Sequence, residues 1–330
     1  MISILLPLYN AEKTVKKCIE SILNQSLRDF ELIIINNNST DTGTEIIQEF
    51  SIQDNRIKIL HERNQGISYA LNKGIKNAQY QYIARIDADD EMLPNRLQMQ
   101  FDFLERNPEI DLISGLAKVD PNHCLKGFQN YIQQLNLWLS EDELYVHRFV
   151  ESPFPHPSVM FRKKLMEKFG LYSTNTSIPE DYELWLRFYE NNVRMAKLNQ
   201  EVIVWRDLPN RLTRNHQAYH SESFDQIRIF YLKKHLEKIK LNKPIIAIGD
   251  GKLARRKIKK MINSGIPIAA MLGFKSNSNS FIPTYSYDQI SSAENFFFIS
   301  IVSNRGKFSE IRSFLESKNY TIEKDFILAS

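Results

Sequence analysis

Three acids close a short apolar run. Tyr82-Ile-Ala-Arg-Ile86 is followed by Asp87-Ala-Asp89-Asp90. The run predicts a buried strand. Carboxylates crowded at a strand end repel one another unless a cation or an array of donors compensates them. Asp87 and Asp89 flank one residue, so both can reach one ion or a ribose beside it. Hard oxygen ligands suit Mg2+ or Mn2+, which in turn suit a diphosphate. A solvated acidic loop capping a helix from Pro94 explains the same residues equally well. A second motif, Gly249-Asp-Gly-Lys-Leu-Ala254, fits Gly-x-Gly-x-x-Ala between a strand and a helix, whose N-terminus could hold phosphate. The following strand ends Met271-Leu-Gly-Phe-Lys275 without an acid, which argues against NAD.

The elements around the acids alternate. Strands are expected at Ile2–Leu6, Glu31–Ile35, Ile57–Leu60, Tyr82–Ile86 and Ile110–Ser114, with helices at Glu12–Gln25, Thr44–Phe50, Gly66–Lys76 and Pro94–Arg106. Such alternation predicts a parallel sheet with helices on both faces, and ligands bind at the carboxyl ends of its strands. Asn10, Asn36 to Asp41, Asn64 and Asp87 to Asp90 all follow strands and should share one rim. Order is lost between about Asp120 and Pro157, where helical patches alternate with Pro and polar residues; a loop-rich region of that length usually carries function. Helices resume at Pro179–Glu190 and, long and basic, at Ser221–Lys240. After Asn242-Lys-Pro244 a second β-α series begins. It has strands at Ile245–Ile248, Ile266–Leu272 and Phe296–Val302, with helices at Leu253–Ile262 and Lys307–Leu315.

The 330 residues suffice for two domains or one large one. A net charge of +4 gives no case for nucleic acid. Lysines gather at Lys233, Lys234, Lys238, Lys240 and Lys243 and again from Lys252 to Lys260. They form either a solvated helix face or a surface for peripheral contact with an anionic membrane. The N-terminal apolar run lacks the basic flank of a signal peptide, and no stretch approaches the roughly 18 apolar residues of a spanning helix. Two cysteines, Cys18 and Cys124, suggest no disulfide framework and suit a reducing cytoplasm.

Read in order, seven segments resemble the catalytic region of family 2 glycosyltransferases. They are Ser3-Ile-Leu-Leu-Pro-Leu-Tyr-Asn10; Phe30-Glu-Leu-Ile-Ile-Ile-Asn-Asn-Asn-Ser-Thr-Asp41; Asn64-Gln-Gly-Ile-Ser-Tyr-Ala-Leu-Asn-Lys-Gly74; Asp87-Ala-Asp-Asp90; Pro94-Asn-Arg-Leu97; His156-Pro-Ser158; and Glu180-Asp-Tyr-Glu-Leu-Trp185. The resemblance implies an α/β fold of the GT-A type: a Rossmann-like, nucleotide-sugar-binding mixed sheet with helices on both faces. A smaller C-terminal α/β Rossmann-like domain follows. The expected division is a catalytic domain over 1–215, a helical linker over 216–242 and the small domain over 243–330.

Roles follow from the resemblance, position by position. Pro7, Tyr9 and Asn10 belong to the loop that holds base and ribose. Asn36 and Asn37 stand where the family usually has Asp-Asp, whose second acid accepts the uracil imide hydrogen. Asn37 can still accept through its amide oxygen but can also donate, which opens the site to another base. Asn64 and Gly66 lie under the nucleotide, and Leu71 replaces the family's usual Arg. Arg85 can pair with the motif's carboxylates or with phosphate. Asp87 is assigned to ribose and metal-bound water, Asp89 to the metal, and Asp90 to structure. His156 either contacts diphosphate or metal or orders the acceptor loop. Arg206, Arg211 and Arg214 can clamp the diphosphate from a late segment. Asp181 aligns with the catalytic base, the alternative being a cap at the start of its helix.

The expected activity is inverting, metal-dependent transfer of a hexosyl or N-acetylhexosaminyl group. The donor would be a nucleoside-diphosphate sugar, the acceptor a hydroxyl of a glycan or lipid-linked molecule. The setting implied is surface polysaccharide synthesis in the cytoplasm or at the inner membrane face, with Mn2+ or Mg2+ as cofactor. A non-catalytic nucleotide-sugar sensor is the alternative from another class. A nucleotidyltransferase would want a Gly-rich basic loop after the first strand, which Pro7-Leu-Tyr-Asn10 lacks.

Overall fold

The computed structural model describes residues 1–120, 124–208, 214, 216–273, 281–290, 296–302 and 307–330. They form two compact units. One comprises Met1–Glu141 and Pro153–His220, the other Asp142–Ser152 and Ser221–Ser330.

The first unit opens with β1 (Ile2–Leu8), α1 (Val15–Leu23), β2 (Phe30–Asn36), α2 (Gly43–Gln53), β3 (Ile57–His61), α3 (Ile67–Asn77) and β4 (Tyr82–Arg85). The strands are nearly continuous apolar runs because parallel strands are covered on both faces. Leu32, Ile33, Ile34 and Ile35 of β2 are all buried. Helix α3 lies close enough that a Cβ on Gly74 would stand 2.9 Å from the Leu5 side chain and 3.0 Å from that of Ile35.

Strands β1 to β4 pair in parallel in the order β3-β2-β1-β4. Their carboxyl ends therefore form one edge, bearing His61, Asn36, Leu8 and Arg85. Then come β5 (Glu91–Met92), α4 (Arg96–Arg106), β6 (Leu112–Val119), α5 (Lys126–Leu137), β7 (Met160–Arg162), α7 (Lys164–Phe169), α8 (Glu180–Glu190) and β8 (Met195–Trp205); α6 (Glu141–Val146), which precedes β7 in the chain, falls almost wholly in the segment of the second unit. The full eight-stranded order is β3-β2-β1-β4-β7-β6-β8-β5. Strand β7 runs antiparallel to both β4 and β6, and β5 runs antiparallel to β8. The sheet is thus mixed rather than purely parallel, as the family resemblance implies and periodicity alone does not.

The helical patches expected between Asp120 and Pro157 are α5 and α6 among the described residues. Helix α5 buries only Ile132 and Leu135 of its twelve residues, so its apolar stripe is thin. The longest strand, β8, is missing from the sequence reading altogether. Its middle, Asn199-Gln-Glu201, is exposed and breaks the apolar run.

The second unit holds α9 (Ser221–Lys238), β9 (Ile245–Ile248), α10 (Lys252–Asn263), β10 (Ile268–Gly273), β11 (Thr284–Ser286), β12 (Phe297–Ser300), α11 (Phe308–Ser317) and β13 (Phe326–Leu328). Its five strands are all parallel, in the order β11-β10-β9-β12-β13. Helix α9, expected as a linker, groups with this unit. So does the segment Asp142–Ser152. Arg148 reaches Glu323 at 2.7 and 2.9 Å, Arg228 donates to the Val150 carbonyl at 3.1 Å, and Ser330 N donates to the Phe149 carbonyl at 3.2 Å. Among the described residues no helix is long and apolar enough to cross a membrane.

Candidate active site

The rim is built from loops that leave adjacent strands. Pro7 lies within β1 beside Ile35, and Tyr9 follows it with half its surface exposed. Asn10 turns with a φ of 47°. Its backbone N–H donates to Ser39 Oγ at 3.2 Å, and its Oδ1 accepts from Thr40 N at 2.8 Å, which fastens the first loop to the second.

Asn37 is buried at the end of β2. Its Nδ2 donates to the carbonyls of Glu62 at 3.0 Å and Asn64 at 2.7 Å, and its Oδ1 accepts from Gly66 N at 2.8 Å. Both amide hydrogens and one lone pair are thereby used to hold the segment before α3. Asn38 continues the clamp, donating to the Arg63 carbonyl at 2.7 Å from a left-handed φ of 63°. Asn64 is tied to Glu62 through its N–H at 2.8 Å. Gly66 turns the chain into α3 with a φ of 137°, which an L side chain rarely adopts.

The end of β4 has the opposite chemistry. Arg85, almost fully buried, donates from Nη1 and Nη2 to the two oxygens of Asp87 at 2.8 and 2.5 Å. Such a bidentate, charge-assisted pair is the strong form of this contact. Of the two roles open to Arg85, pairing with a carboxylate is the one seen. Asp90 is fully buried and accepts the Arg206 backbone N–H at 2.9 Å, while Arg206 Nη1 donates to the Asp89 carbonyl at 3.1 Å and its guanidinium pairs with Glu91. Arg96 stands behind the cluster, bonded to the carbonyls of Arg85 and Val159.

Asp87, Asp89 and Asp90 each bring a carboxylate oxygen within 4.8 Å of the others. An all-oxygen anionic donor set fits a hard divalent cation such as Mg2+ or Mn2+.

The start of α8 forms the third part. Glu180 is buried and Asp181 half-buried, with Asp181 Oδ1 accepting from Tyr182 N at 2.7 Å. The Tyr219 hydroxyl donates to Glu180 Oε2 at 2.6 Å. His156 Nδ1 stands 3.7 Å from Glu180 Oε1, too far for a hydrogen bond, and its Nε2 bonds the Tyr172 hydroxyl at 2.9 Å. Burial, helped by the charge of Arg85, holds His156 well below the ordinary imidazole range, so its contact with Glu180 is not an ion pair at neutral pH. Burial and the neighbouring Asp181 push Glu180 up to about 7.

Arg85 ties these parts together. It holds Asp87, and its charge also bears on Glu180, His156 and Tyr172. Arg214 is engaged elsewhere, with Nη2 at 2.6 Å from both oxygens of Asp207. Arg211 lies outside the described residues.

The family profile for glycosyl transferase family 2 matches residues 3–169, half of the chain. The chain belongs to this family. Relatives agree with that placement. MJ1057, an uncharacterized glycosyltransferase of Methanocaldococcus jannaschii, is 34% identical over 216 residues, covering 64% of this chain and 72% of its own length. WbnJ of Escherichia coli, an O-antigen biosynthesis glycosyltransferase, is 29% identical over 238 residues, covering 71% of this chain and 90% of its own. Among solved structures, the mannosyltransferase PcManGT of Pyrobaculum calidifontis, in complex with GDP-Man and Mn2+, shares the fold. It has a TM-score of 0.52 and 18% identity over 80% of this chain and 68% of that one.

Three residues of this glycosyltransferase site escaped the sequence reading. Tyr219 and Tyr172 are single aromatics in polar surroundings and carry no pattern. Asn72 does sit in a quoted segment, but its task shows only in space. Its Nδ2 donates to the Tyr172 carbonyl at 2.9 Å and its Oδ1 accepts from Tyr172 N at 3.0 Å, fixing the residue that holds His156.

Proposed function

We propose that this glycosyltransferase moves a hexosyl or N-acetylhexosaminyl group, with inversion, from a nucleoside-diphosphate donor to a hydroxyl of a glycan or lipid-linked acceptor in surface polysaccharide assembly. The supporting observation is Arg85. A single buried guanidinium grips the acidic motif and also acts on the start of α8, so donor-side and acceptor-side acids surround one cation. The O-antigen role of WbnJ supports the acceptor class.

In this reading the acceptor oxygen attacks the anomeric carbon as the bond to the diphosphate breaks. Asp181 takes the proton the hydroxyl gives up. Its place in the first turn of α8 lets the helix N-terminus stabilise its anion before attack. Asp89, with Asp87 and Asp90 beside it, would hold Mg2+ or Mn2+. When bound, such an ion supplies charge stabilisation for the leaving diphosphate. Asn10, Asn37, Asn64 and Gly66 shape the nucleotide side, Pro7 and Tyr9 flank the base, His156 lies on the acceptor side, and Arg214 is a cation on the late segment. The catalytic part would be the first unit, which runs slightly past the expected boundary at 215 to take in Tyr219, with the residues from 221 onward an appendage. The protein would work in the cytoplasm. The exposed Lys252, Arg256 and Lys259 of α10 suit peripheral contact with the inner membrane face.

Thermal shift against UDP- and GDP-sugars, with Mn2+ and then with chelator, tests the donor side. Donor binding should weaken sharply in chelator, and undiminished binding would remove the metal role from Asp89. Asp181→Asn should keep donor binding while turnover falls by about 10²–10⁴-fold. Binding without turnover in the unmodified protein would favour a sensor instead.

A further inference from the structure

We propose that Glu180 is a positioning residue, and that Glu180 and Asp181 act as one coupled acid pair in which Glu180 keeps the proton and Asp181 carries the charge. The inference rests on Asp181 being the base of the proposed reaction.

The geometry is that of a carboxyl with nothing to neutralise a charge. Glu180 is 5% exposed. From its own helix it faces Asp181, a like charge one residue on. From the turn Gln217–Tyr219 it receives a neutral hydroxyl at 2.6 Å. From the turn His156–Ser158 it faces His156 at 3.7 Å, an imidazole that burial keeps neutral and that Tyr172 holds from the far side. The cation in the neighbourhood, Arg85 of β4, has both terminal nitrogens on Asp87. A buried carboxyl with a like-charged neighbour and a cation committed elsewhere favours its protonated form, and a single hydroxyl donor opposes this only in part. The direction of its titration agrees: burial first and Asp181 second push it up to about 7, against the weaker pull of Tyr219 and Arg85.

The arrangement has a chemical consequence. While Glu180 holds its proton, the pair bears one negative charge, and that charge sits on the half-buried Asp181. When Glu180 ionises, a second charge beside Asp181 raises the proton affinity of the base. Two such groups titrate as a pair with two macroscopic steps. Tyr219 also anchors the chain after the Arg206–Arg214 segment to the first residue of α8, which fixes where Asp181 stands.

Carbon-13 NMR of the whole protein labelled at the glutamate carboxyls tests this without an acceptor. The Glu180 resonance is the one lost in Glu180→Gln. It should titrate near the value of about 7 given by its surroundings. In Asp181→Asn its midpoint should fall by about one pH unit or more, and in Tyr219→Phe it should rise. An ordinary glutamate midpoint, or one unmoved by Asp181→Asn, would overturn the coupling. In turnover, Glu180→Gln should lose the near-neutral inflection of the kcat profile while keeping the acidic limb. A profile that superimposes on the parent's would overturn the proposal, as would loss of turnover at every pH. Should Asp181→Asn still turn over, the base assignment falls, and the NMR titration reads the coupling independently of that result.

Discussion

The ends of β2 and β4 lie on one edge of the sheet and solve the same problem in opposite ways. At the end of β2 three amides tie down neighbouring segments: the buried Asn37 and the exposed Asn38 donate to backbone carbonyls of residues 62 to 64, and the buried Asn36 donates to the Thr44 hydroxyl. At the end of β4 three carboxylates are crowded together; Arg85 pairs with Asp87, the buried charge of Arg96 acts on Asp90, and the Arg206 backbone N–H donates to Asp90. Neutral groups that are saturated by backbone hold shape and have little left to offer a ligand. Charges that are merely balanced can exchange one partner for another. The contrast assigns scaffolding to the amide end and reactivity to the acid end.

The largest effect should come from breaking the balance at β4. Arg85→Met removes the partner of Asp87 and leaves the acidic cluster short of a cation. Unpairing a buried charge typically costs about 3–5 kcal/mol, and the partial exposure of Asp87 places this variant at the lower end, about 3 kcal/mol. Chemical denaturation measures it. Added Mg2+ or Mn2+ should restore part of the loss, since a bound cation replaces the missing charge. A variant as stable as the parent would mean that the acids need no compensation.

Next in size is the pH dependence carried by Glu180. Burial and the neighbouring Asp181 push its pKa in the folded protein from the ordinary 4.5 up to about 7, so the folded state binds the proton more tightly. The resulting stability is fully present below the unfolded value and is lost as pH rises through that window. With one pKa unit equal to about 1.4 kcal/mol, the loss is on the order of 3 kcal/mol between those limits. Glu180→Gln should flatten that slope, as measured by unfolding at a series of pH values. An unchanged slope would assign it to other groups.

Asn37→Asp restores the acid usual at this position in the family and should lower stability by about 2 kcal/mol, because the carbonyls of Glu62 and Asn64 would lose their donor and face a carboxylate. Donor affinity should fall for UDP- and GDP-sugars alike as the 62–66 segment loosens. A gain confined to UDP-sugars would show that position 37 reads the base after all.

How much of this was legible in the sequence differs between the two strand ends. The acids at β4 were visible because three carboxylates after an apolar run have few explanations. Arg85 beside them could pair with carboxylate or with phosphate, and its bidentate bond to Asp87 shows only in space. At β2 the types of Asn36 and Asn37 were plain, but the partners of Asn37 are backbone atoms of residues 62 to 66, which no side-chain pattern encodes. The same holds for β8, whose exposed middle hides a strand that depends on pairing with β6 over sequence-distant contacts. The strands β1 to β4 were readable for the reverse reason, since burial on both faces writes each as an apolar run.

The smallest effect sharpens the contrast most. Asn38→Ala removes one exposed hydrogen bond, to the Arg63 carbonyl at 2.7 Å, and places alanine at a φ of 63° where asparagine is tolerated better. Together these should cost about 1 kcal/mol, read as a shift in the denaturation midpoint. Because Asn38 belongs to the clamp and not to the charge cluster, the midpoint for Mn2+ binding should stay where it is. Asn38→Gly should recover the part of the loss that comes from backbone strain and leave the part that comes from the missing bond. If Asn38→Ala weakens metal binding instead, the two strand ends are coupled, and the division between a rigid amide scaffold and an exchangeable acid cluster does not hold.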